Sequence, residues 1–346
     1  MKIRGLFAMY PRMFLTCLLS ALLLSSALVD AVTKVSAGSS AQQTVADTFA
    51  ILLDKKATAE KPTGEVTTSR YVNWVTGDAL ADVAKSGDLG CAHASEKPGV
   101  VVLGLGGQRE GGATAFSGKG VVRPYALLTE VVKAYVKGME RCGASAGWTV
   151  AVATTNQKNG DAILSASRGK EWGDFVRSVQ IRDSNVAVIG GNDMEPAWGS
   201  VESAVAWRDA YEQTAHTPLL WVASADGCPR HNTNGACANG WSQAALASVL
   251  WSDGNGTVMP QIYTQNHTQA LQWAQIAATA IELGITPRFA GALSQHRACD
   301  QVAPGSCNNL DLDGVQALAQ LREAFDSIPA TTKLHLPFAS DIGWGE

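Results

Sequence analysis

The chain has 346 residues, which is enough for one large domain or two of ordinary size. Its formal net charge is -4 and charged residues make up 17% of it, below the roughly 25% of an average globular protein. The sequence contains no run of basic residues. This composition argues against nucleic acid or another polyanion as the partner.

The N-terminus has the pattern of a secretory signal peptide. Basic residues precede the apolar run Met13 to Val29, and small residues follow it. We place the signal peptide at residues 1–31, with cleavage after Ala27 or Ala37 as alternatives. The run is slightly short for a membrane-spanning helix, although an uncleaved anchor is a second interpretation. We therefore expect a secreted, extracellular protein with no membrane attachment once the signal is removed.

Six cysteines follow the signal segment. An even number in an exported chain predicts disulfides. Two pairs are close in sequence, each between a strand-like and a helix-like segment, and the third pair is left by elimination. The expected pairs are Cys91–Cys142, Cys228–Cys237 and Cys299–Cys307.

Metal and cofactor sites are not expected. The sequence has no CxxC, HxH or HExxH pattern. Gly104, Gly106 and Gly107 resemble the start of a dinucleotide fingerprint, but Arg109 stands where the third glycine belongs.

Strand-like and helix-like segments alternate after a linker at residues 32–66, in which Val45 to Leu53 is a possible short helix. Most strand-like runs are successions of Val, Leu, Ile and Ala, as in strands buried on both faces. The predicted strands are Tyr71–Val75, Gly99–Leu105, Trp148–Thr154, Val186–Gly190, Leu219–Ala223, Val258–Tyr263, Arg288–Leu293 and Leu334–Ala339. The predicted helices are Ala79–Lys85, Pro124–Arg141, Ser200–Thr214, Ser242–Trp251, Thr268–Leu283 and Asp311–Ser327.

This alternation predicts an α/β fold with a parallel sheet. Eight strands in residues 67–346 match a single (β/α)8 TIM barrel with disulfide-stapled loops, and an open doubly wound parallel sheet is the alternative. Cysteines 228, 237, 299 and 307 follow strands and should lie at the C-terminal mouth of the barrel. Cys91 and Cys142 precede strands and should lie at its opposite end.

The most informative stretch is NVAVIGGNDMEPAW, from Asn185 to Trp198, where an apolar run ends in Asp193 and Glu195. Residues two apart on an extended chain point to the same side, so both carboxyls are expected in one cavity. Like charges held close together raise one pKa, and glycoside hydrolysis uses such a pair. The alternative is a pair of solvated acids at a strand-to-helix turn.

An Asp-x-Glu motif after the fourth barrel strand resembles the catalytic motif of glycoside hydrolases, especially family 18 chitinases and family 25 lysozymes. The resemblance implies that Glu195 is the general acid and that Asp193 stabilises charge or orients the substrate's N-acetyl group. Tyr263, which ends the sixth predicted strand, resembles the chitinase tyrosine that helps to position this group. Asp341, after the eighth strand, resembles an additional acid of the lysozymes, and Trp344 would be a floor on which a sugar stacks.

The sequence departs from these families in two ways. It lacks a DxxDxDxE run, and its first strand has Asn73 and Trp74 where the lysozymes carry an aspartate. Enzymes with an Asn-Glu-Pro motif are a further comparison, but where they have a second Glu after the seventh strand this chain has Ser294 and Gln295. A protein nucleophile is therefore poorly supported, and hydrolysis assisted by the substrate's acetamide is the favoured mechanism.

Further polar residues at strand ends are expected to bind sugar hydroxyl groups at the same mouth. They are Gln108, Asn156, Asn192, Asp226, Gln261 and Gln295. The expected function is cleavage of a cell-wall or chitin-like glycan by a carboxylate general acid. A non-catalytic carbohydrate-binding barrel is the alternative, and a hydrolase of another bond is a third interpretation.

Overall fold

The structure, a computed structural model, describes residues 67–73, 75–115, 121–156, 164–231, 233, 235–252, 254–302, 304–305, 307 and 311–344. For residues 67–73 and 344 the description covers the backbone alone. The signal peptide and linker predicted at residues 1–66 lie outside the described residues.

Eight parallel strands in the described residues form the sheet, each overlapping or adjoining one of the predicted strands. They are β1 (Thr67–Asn73), β2 (Val100–Arg109), β5 (Trp148–Thr155), β6 (Val186–Met194), β7 (Leu219–Ala223), β8 (Gly256–Pro260), β9 (Gly291–Ser294) and β10 (Phe338–Trp344). Two short strands, β3 (Ala113–Ala115) and β4 (Val122–Pro124), form an unpredicted antiparallel extension from the end of β2.

Helices connect the strands. They are α1 (Ala79–Ala94), α2 (Tyr125–Arg141), α3 (Ala166–Ser178), α4 (Val201–Ala215), α5 (Gln243–Trp251), α6 (Thr268–Glu282), α7 (His296–Val302) and α8 (Gly314–Asp326). Short 3-10 turns occur at Pro196–Trp198 and Ala238–Gly240. The sequence predicted all of these helices except α3 and α7.

The strand order confirms the barrel. Continuous ladders run β8-β7-β6-β5-β2-β1-β10-β9. The two ends of this order, β8 and β9, are neighbours joined by isolated parallel bridges between Val258 and Phe289 and between Gln261 and Leu293. The structure is therefore a (β/α)8 barrel with one seam where the ladder is not continuous, and the open doubly wound sheet is wrong.

Two apolar layers fill the molecule because successive strand residues face opposite sides. Alternate residues such as Val102, Ile189 and Val222 form the core inside the barrel. Their neighbours, including Leu103, Val188 and Trp221, pack with the helices outside it. This alternation tells which side chains at the strand ends face the mouth.

The three expected disulfides are confirmed. Cys91 lies in α1 and Cys142 follows α2, so this bond joins two helices at the end of the barrel where β2 and β5 begin. The other two bonds close loops after β7 and β9, at the mouth. Among the described residues, no helix is long and apolar enough to cross a membrane.

Candidate active site

Strand β6 brings Asp193 and Glu195 to the mouth. Ile189 on this strand belongs to the core inside the barrel, so the alternate positions 191, 193 and 195 face the same way. The paired glycines before the acids allow close packing. The Gly190 amide donates to the Tyr211 hydroxyl at 3.0 Å, and a Cβ at Gly190 would lie 2.2 Å from that oxygen.

Asp193 is anchored by a side chain from the sixth barrel strand. Its Oδ1 accepts a hydrogen bond from Nε2 of Gln261 at 2.8 Å. Burial raises the pKa of Asp193 to about 7, and the Gln261 hydrogen bond opposes this shift. The carboxyl therefore holds a proton more readily than an ordinary aspartate.

Glu195 lies among other acids. Burial raises the pKa of Glu195 to about 9, and the charges of Asp193 and Asp226 act in the same direction. A side-chain hydrogen bond to Asp226 raises the pKa further, whereas one to Gln261 lowers it. The carboxyl of Glu195 therefore keeps its proton to a higher pH than an ordinary glutamate.

The backbone of Glu195 is fixed by Asn156, which follows β5. Nδ2 of Asn156 donates to the Glu195 carbonyl at 2.9 Å, and the Glu195 N–H donates to Oδ1 of Asn156 at 3.0 Å. The sequence placed Asn156 at the mouth as a group for sugar hydroxyls. Its amide instead bonds to the backbone of the acid, a role that no local pattern in the sequence indicated.

Asp226 comes from the loop after β7 that the Cys228–Cys237 bond closes. The Asp226 carbonyl accepts from the Ala238 N–H at 2.7 Å. Between them in the loop, Gly227 has a φ of 66°, which favours glycine. Asp226 and Ala238 therefore flank the disulfide ring, and the hydrogen bond between them fixes the Asp226 backbone next to it.

Gln261 and Tyr263 face the same side as the acids, because Met259 on β8 belongs to the inner core. Tyr263 is half-buried and packs against that core. Its N–H donates to Oε1 of Gln269 at 2.6 Å, which fixes the loop that carries it. Of the site residues predicted from the sequence, Gln261 bonds to Asp193, and Asp193, Asp226 and Gln261 all act on the pKa of Glu195. Tyr263 shares the face of Gln261.

Two of the predicted polar residues face away from the mouth. Asn192 alternates with Asp193, pairs in register with Trp221 of the outer layer and is fully buried. Gln108 is also buried, with Oε1 accepting from Nε1 of Trp207 at 2.8 Å. Both expectations of a sugar contact are corrected: strand alternation turns Asn192 outward, and a register shift between Gly104 and Gly107 precedes Gln108.

Asp341 has its own set of contacts. Its carboxyl accepts from the Arg297 N–H in the first turn of α7, at 3.3 and 3.4 Å. Burial raises the pKa of Asp341, against the lowering effects of the Ser294 hydroxyl and the Arg297 N–H. The acids that act on the pKa of Glu195 are Asp193 and Asp226, whereas the contact observed for Asp341 is with α7.

Trp344 ends β10, where it pairs in register with Asn73, and its side chain lies outside the described ones. Gln295 is half-buried just before α7. Over the described ranges, no cluster of three or more His, Cys, Asp and Glu residues has a geometry that could hold a metal ion.

No protein-family model matches the sequence, and no curated protein matches it. Among solved structures, the chain is similar to a GH18 chitinase from Pseudoalteromonas aurantia, with 12% identity, a TM-score of 0.44, and coverage of 81% of this chain and 94% of that chain. A GH113 beta-1,4-mannanase has 9% identity and a TM-score of 0.39, with 82% and 89% covered. The tryptophan synthase alpha subunit of Legionella pneumophila has 11% identity and a TM-score of 0.32, with 80% and 99% covered. Because these identities and TM-scores are low, the likenesses carry no argument about family or reaction.

Proposed function

We propose that this protein is a secreted glycoside hydrolase-like enzyme that cleaves a cell-wall or chitin-like glycan, with Glu195 as its general acid. The observation that carries the proposal is a carboxyl group at the end of a barrel strand whose pKa is raised by burial and by the charges of two other acids. In (β/α)8 enzymes the catalytic groups stand at this end of the strands. A carboxylic acid with a raised pKa can protonate a leaving-group oxygen near neutral pH.

In the proposed reaction, Glu195 donates its proton to the glycosidic oxygen as the bond from that oxygen to the anomeric carbon breaks. The carbonyl oxygen of the substrate's own acetamide attacks the anomeric carbon, while Asp193 accepts a hydrogen bond from the acetamide N–H. Water then opens the cyclic intermediate, and the Glu195 carboxylate takes up its proton. This route needs no protein nucleophile, in agreement with Ser294 and Gln295 at the end of β9.

The three disulfides support the proposed extracellular location, because such bonds persist in oxidising compartments. The predicted signal peptide at residues 1–31 agrees with it. Carbohydrate is the proposed partner.

The test is product release by the purified, disulfide-bonded mature chain from peptidoglycan, chitin and common plant glycans. New reducing ends and the masses of released fragments would be measured. Glu195→Gln keeps the shape of the acid without its proton, so release should fall by about 10²- to 10⁴-fold. Glu130→Gln on the exposed surface of α2 is the matched control and should keep full activity.

Loss of release in Glu195→Gln alone would support the general acid and identify the glycan. If neither the unaltered chain nor the control releases product, the proposed glycosidase is wrong. Retained glycan binding in that case would instead identify a non-catalytic carbohydrate-binding barrel.

A further inference from the structure

Trp198 differs from the other tryptophans whose side chains the structure describes. It is half-buried, and it belongs to neither the inner nor the outer apolar core. Within the described part of the chain, its indole N–H has no hydrogen-bond partner and its rings contact no other aromatic ring. The remaining described tryptophan side chains are all buried: Trp148, Trp172, Trp207, Trp221, Trp241, Trp251 and Trp273. Packing within the protein therefore does not explain why an indole stands at position 198.

The location of Trp198 is set by the candidate acid. The 3-10 turn Pro196–Trp198 begins directly after Glu195, and the Trp198 N–H donates to the Glu195 carbonyl at 3.0 Å. A 3-10 turn rises about 2 Å per residue, so the backbone of Trp198 lies roughly 6 Å beyond that of the acid. The indole thus stands at the mouth, beside the group that would protonate a glycosidic oxygen.

The turn that carries Trp198 is held from a second loop. The carbonyl of the next residue, Gly199, accepts from Nε1 of Trp241 and from Nδ2 of Asn239, both at 2.8 Å. These two donors come from the loop after β7, and the Trp241 side chain is buried. A side chain on fixed backbone loses little conformational freedom when a ligand binds to it. Trp198 therefore has the pre-organised mount that a binding residue needs.

We propose that the indole of Trp198 stacks on a pyranose ring of the glycan, on the leaving-group side of the bond that is cleaved. This inference rests on the proposed function of Glu195 and adds a binding subsite to it. In sugars of the glucose or N-acetylglucosamine type, the substituents are equatorial and the ring faces carry C–H groups. Such a face buries apolar area against a flat aromatic ring, and the indole N–H can donate to a sugar hydroxyl.

The order of residues along the chain decides which sugar Trp198 contacts. Asp193 precedes Glu195 on the inner face of β6, where the proposed reaction places the acetamide of the sugar that is attacked. Trp198 follows Glu195, beyond the end of that strand. The glycosidic oxygen lies at Glu195 and separates the two sugars, so the ring next to Trp198 is the one that leaves. Loss of the indole should weaken binding of this sugar without changing the chemistry at the other.

Binding of chitohexaose to the Glu195→Gln protein is the first test, because this variant holds the glycan without cleaving it. Adding Trp198→Ala should raise Kd about tenfold, and adding Trp198→Phe should raise Kd less because a smaller flat ring remains. Leu283→Ala is the matched control, since Leu283 is 51% exposed after α6 at the opposite end of the barrel. It should leave Kd unchanged. An unchanged Kd in both Trp198 variants, or no binding of chitohexaose by Glu195→Gln, would overturn the proposal.

A comparison of two substrates then locates the subsite. Cleavage of chitohexaose releases a sugar, whereas cleavage of chitobiosyl fluoride releases only fluoride, which cannot stack on an indole. Trp198→Ala should lower kcat/KM about tenfold on chitohexaose and leave it unchanged on chitobiosyl fluoride. Equal losses on the two substrates would overturn the assignment to the leaving-group side. If the unaltered protein binds chitohexaose and cleaves neither substrate, the proposed glycosidase is wrong, while the change in Kd still decides whether Trp198 binds the glycan.

Discussion

At the scale of single residues, Asn156 extends a strand ladder with its side chain. The Asn156 N–H donates to the Asp193 carbonyl at 3.2 Å, as a neighbouring strand residue would. Its side-chain amide then bonds to both the N–H and the C=O of Glu195, just beyond the end of β6. The acid therefore sits on backbone that is as firmly paired as a strand interior, although it lies at the start of a loop.

Asn156→Ala should lower kcat about ten- to hundredfold with little change in KM, because a small displacement of a catalytic group is costly while the sugar contacts remain. Gln180→Ala is a matched control, since its amide donates to the Val188 carbonyl at the other end of β6. Both variants should lose stability in thermal unfolding, but only Asn156→Ala should lose kcat. Equal kcat in the two variants would show that the Asn156 bond stabilises the fold without positioning the acid.

At the scale of elements, two disulfide rings of nearly equal size lie at the mouth, and one of them directly follows the segment with Asp226. The bonds Cys228–Cys237 and Cys299–Cys307 span 9 and 8 residues. Because the restriction of the unfolded chain depends on ring size, each bond should contribute about 2 to 3 kcal/mol to the free energy of unfolding. A difference in activity between the two deletions would then come from the folded state.

Replacing Cys228 and Cys237 together by Ser should lower kcat/KM at pH 8 by about tenfold, because Asp226 loses its fixed backbone and Glu195 ionises more readily. The Cys299→Ser, Cys307→Ser protein should lose similar stability in urea unfolding and keep more of its activity. Activities reduced to the same extent in both proteins would mean that the mouth needs general rigidity, rather than the placement of Asp226.

The sequence predicted those elements of the fold that have a clear pattern of apolar residues. All eight barrel strands could be predicted, and six of them, β2 and β5 to β9, consist largely of buried apolar residues. Helix α3 was missed because Gly169 and Gly173 weaken the helical pattern. In the structure these glycines let α3 lie against α4, where a Cβ at Gly169 would be 2.0 Å from the Trp207 carbonyl oxygen. The glycines are thus explained by the packing of two helices, which no local sequence pattern indicates.

Only part of the site could be predicted, because local strand geometry is visible in the sequence and tertiary packing is not. The two-residue spacing of Asp193 and Glu195 predicted their common face, and strand alternation makes this reliable. The same alternation excludes Asn192 from the mouth. Gln108 also faces outward, and it follows a shift in strand register between Gly104 and Gly107. Interactions between elements, such as the effect of Asp226 on the pKa of Glu195, depend on loop paths that the sequence does not encode in any short pattern.

At the scale of the whole molecule, the parallel barrel gathers carboxyl groups from different strands at one end, and this has a cost in stability. Asp193 and Glu195 both have raised pKa values, of about 7 and about 9. A raised pKa means that the folded state binds protons that the unfolded state has released. The associated stability is fully present below the unfolded pKa values of about 4, and it is lost as pH rises through about 7 and about 9.

Glu195→Gln should therefore make the protein more stable than the unaltered chain at alkaline pH. Glutamine has no charge to bury beside Asp193 and Asp226, so we expect a gain of about 1 to 3 kcal/mol in the free energy of unfolding at pH 9 and little at pH 5. Urea unfolding at pH 5, 7 and 9 would measure it, with Glu130→Gln as the control for loss of one carboxyl. A gain in stability that is the same at all three pH values would contradict a raised pKa of Glu195. A gain that grows with pH would show that the cluster of acids destabilises the folded protein at alkaline pH.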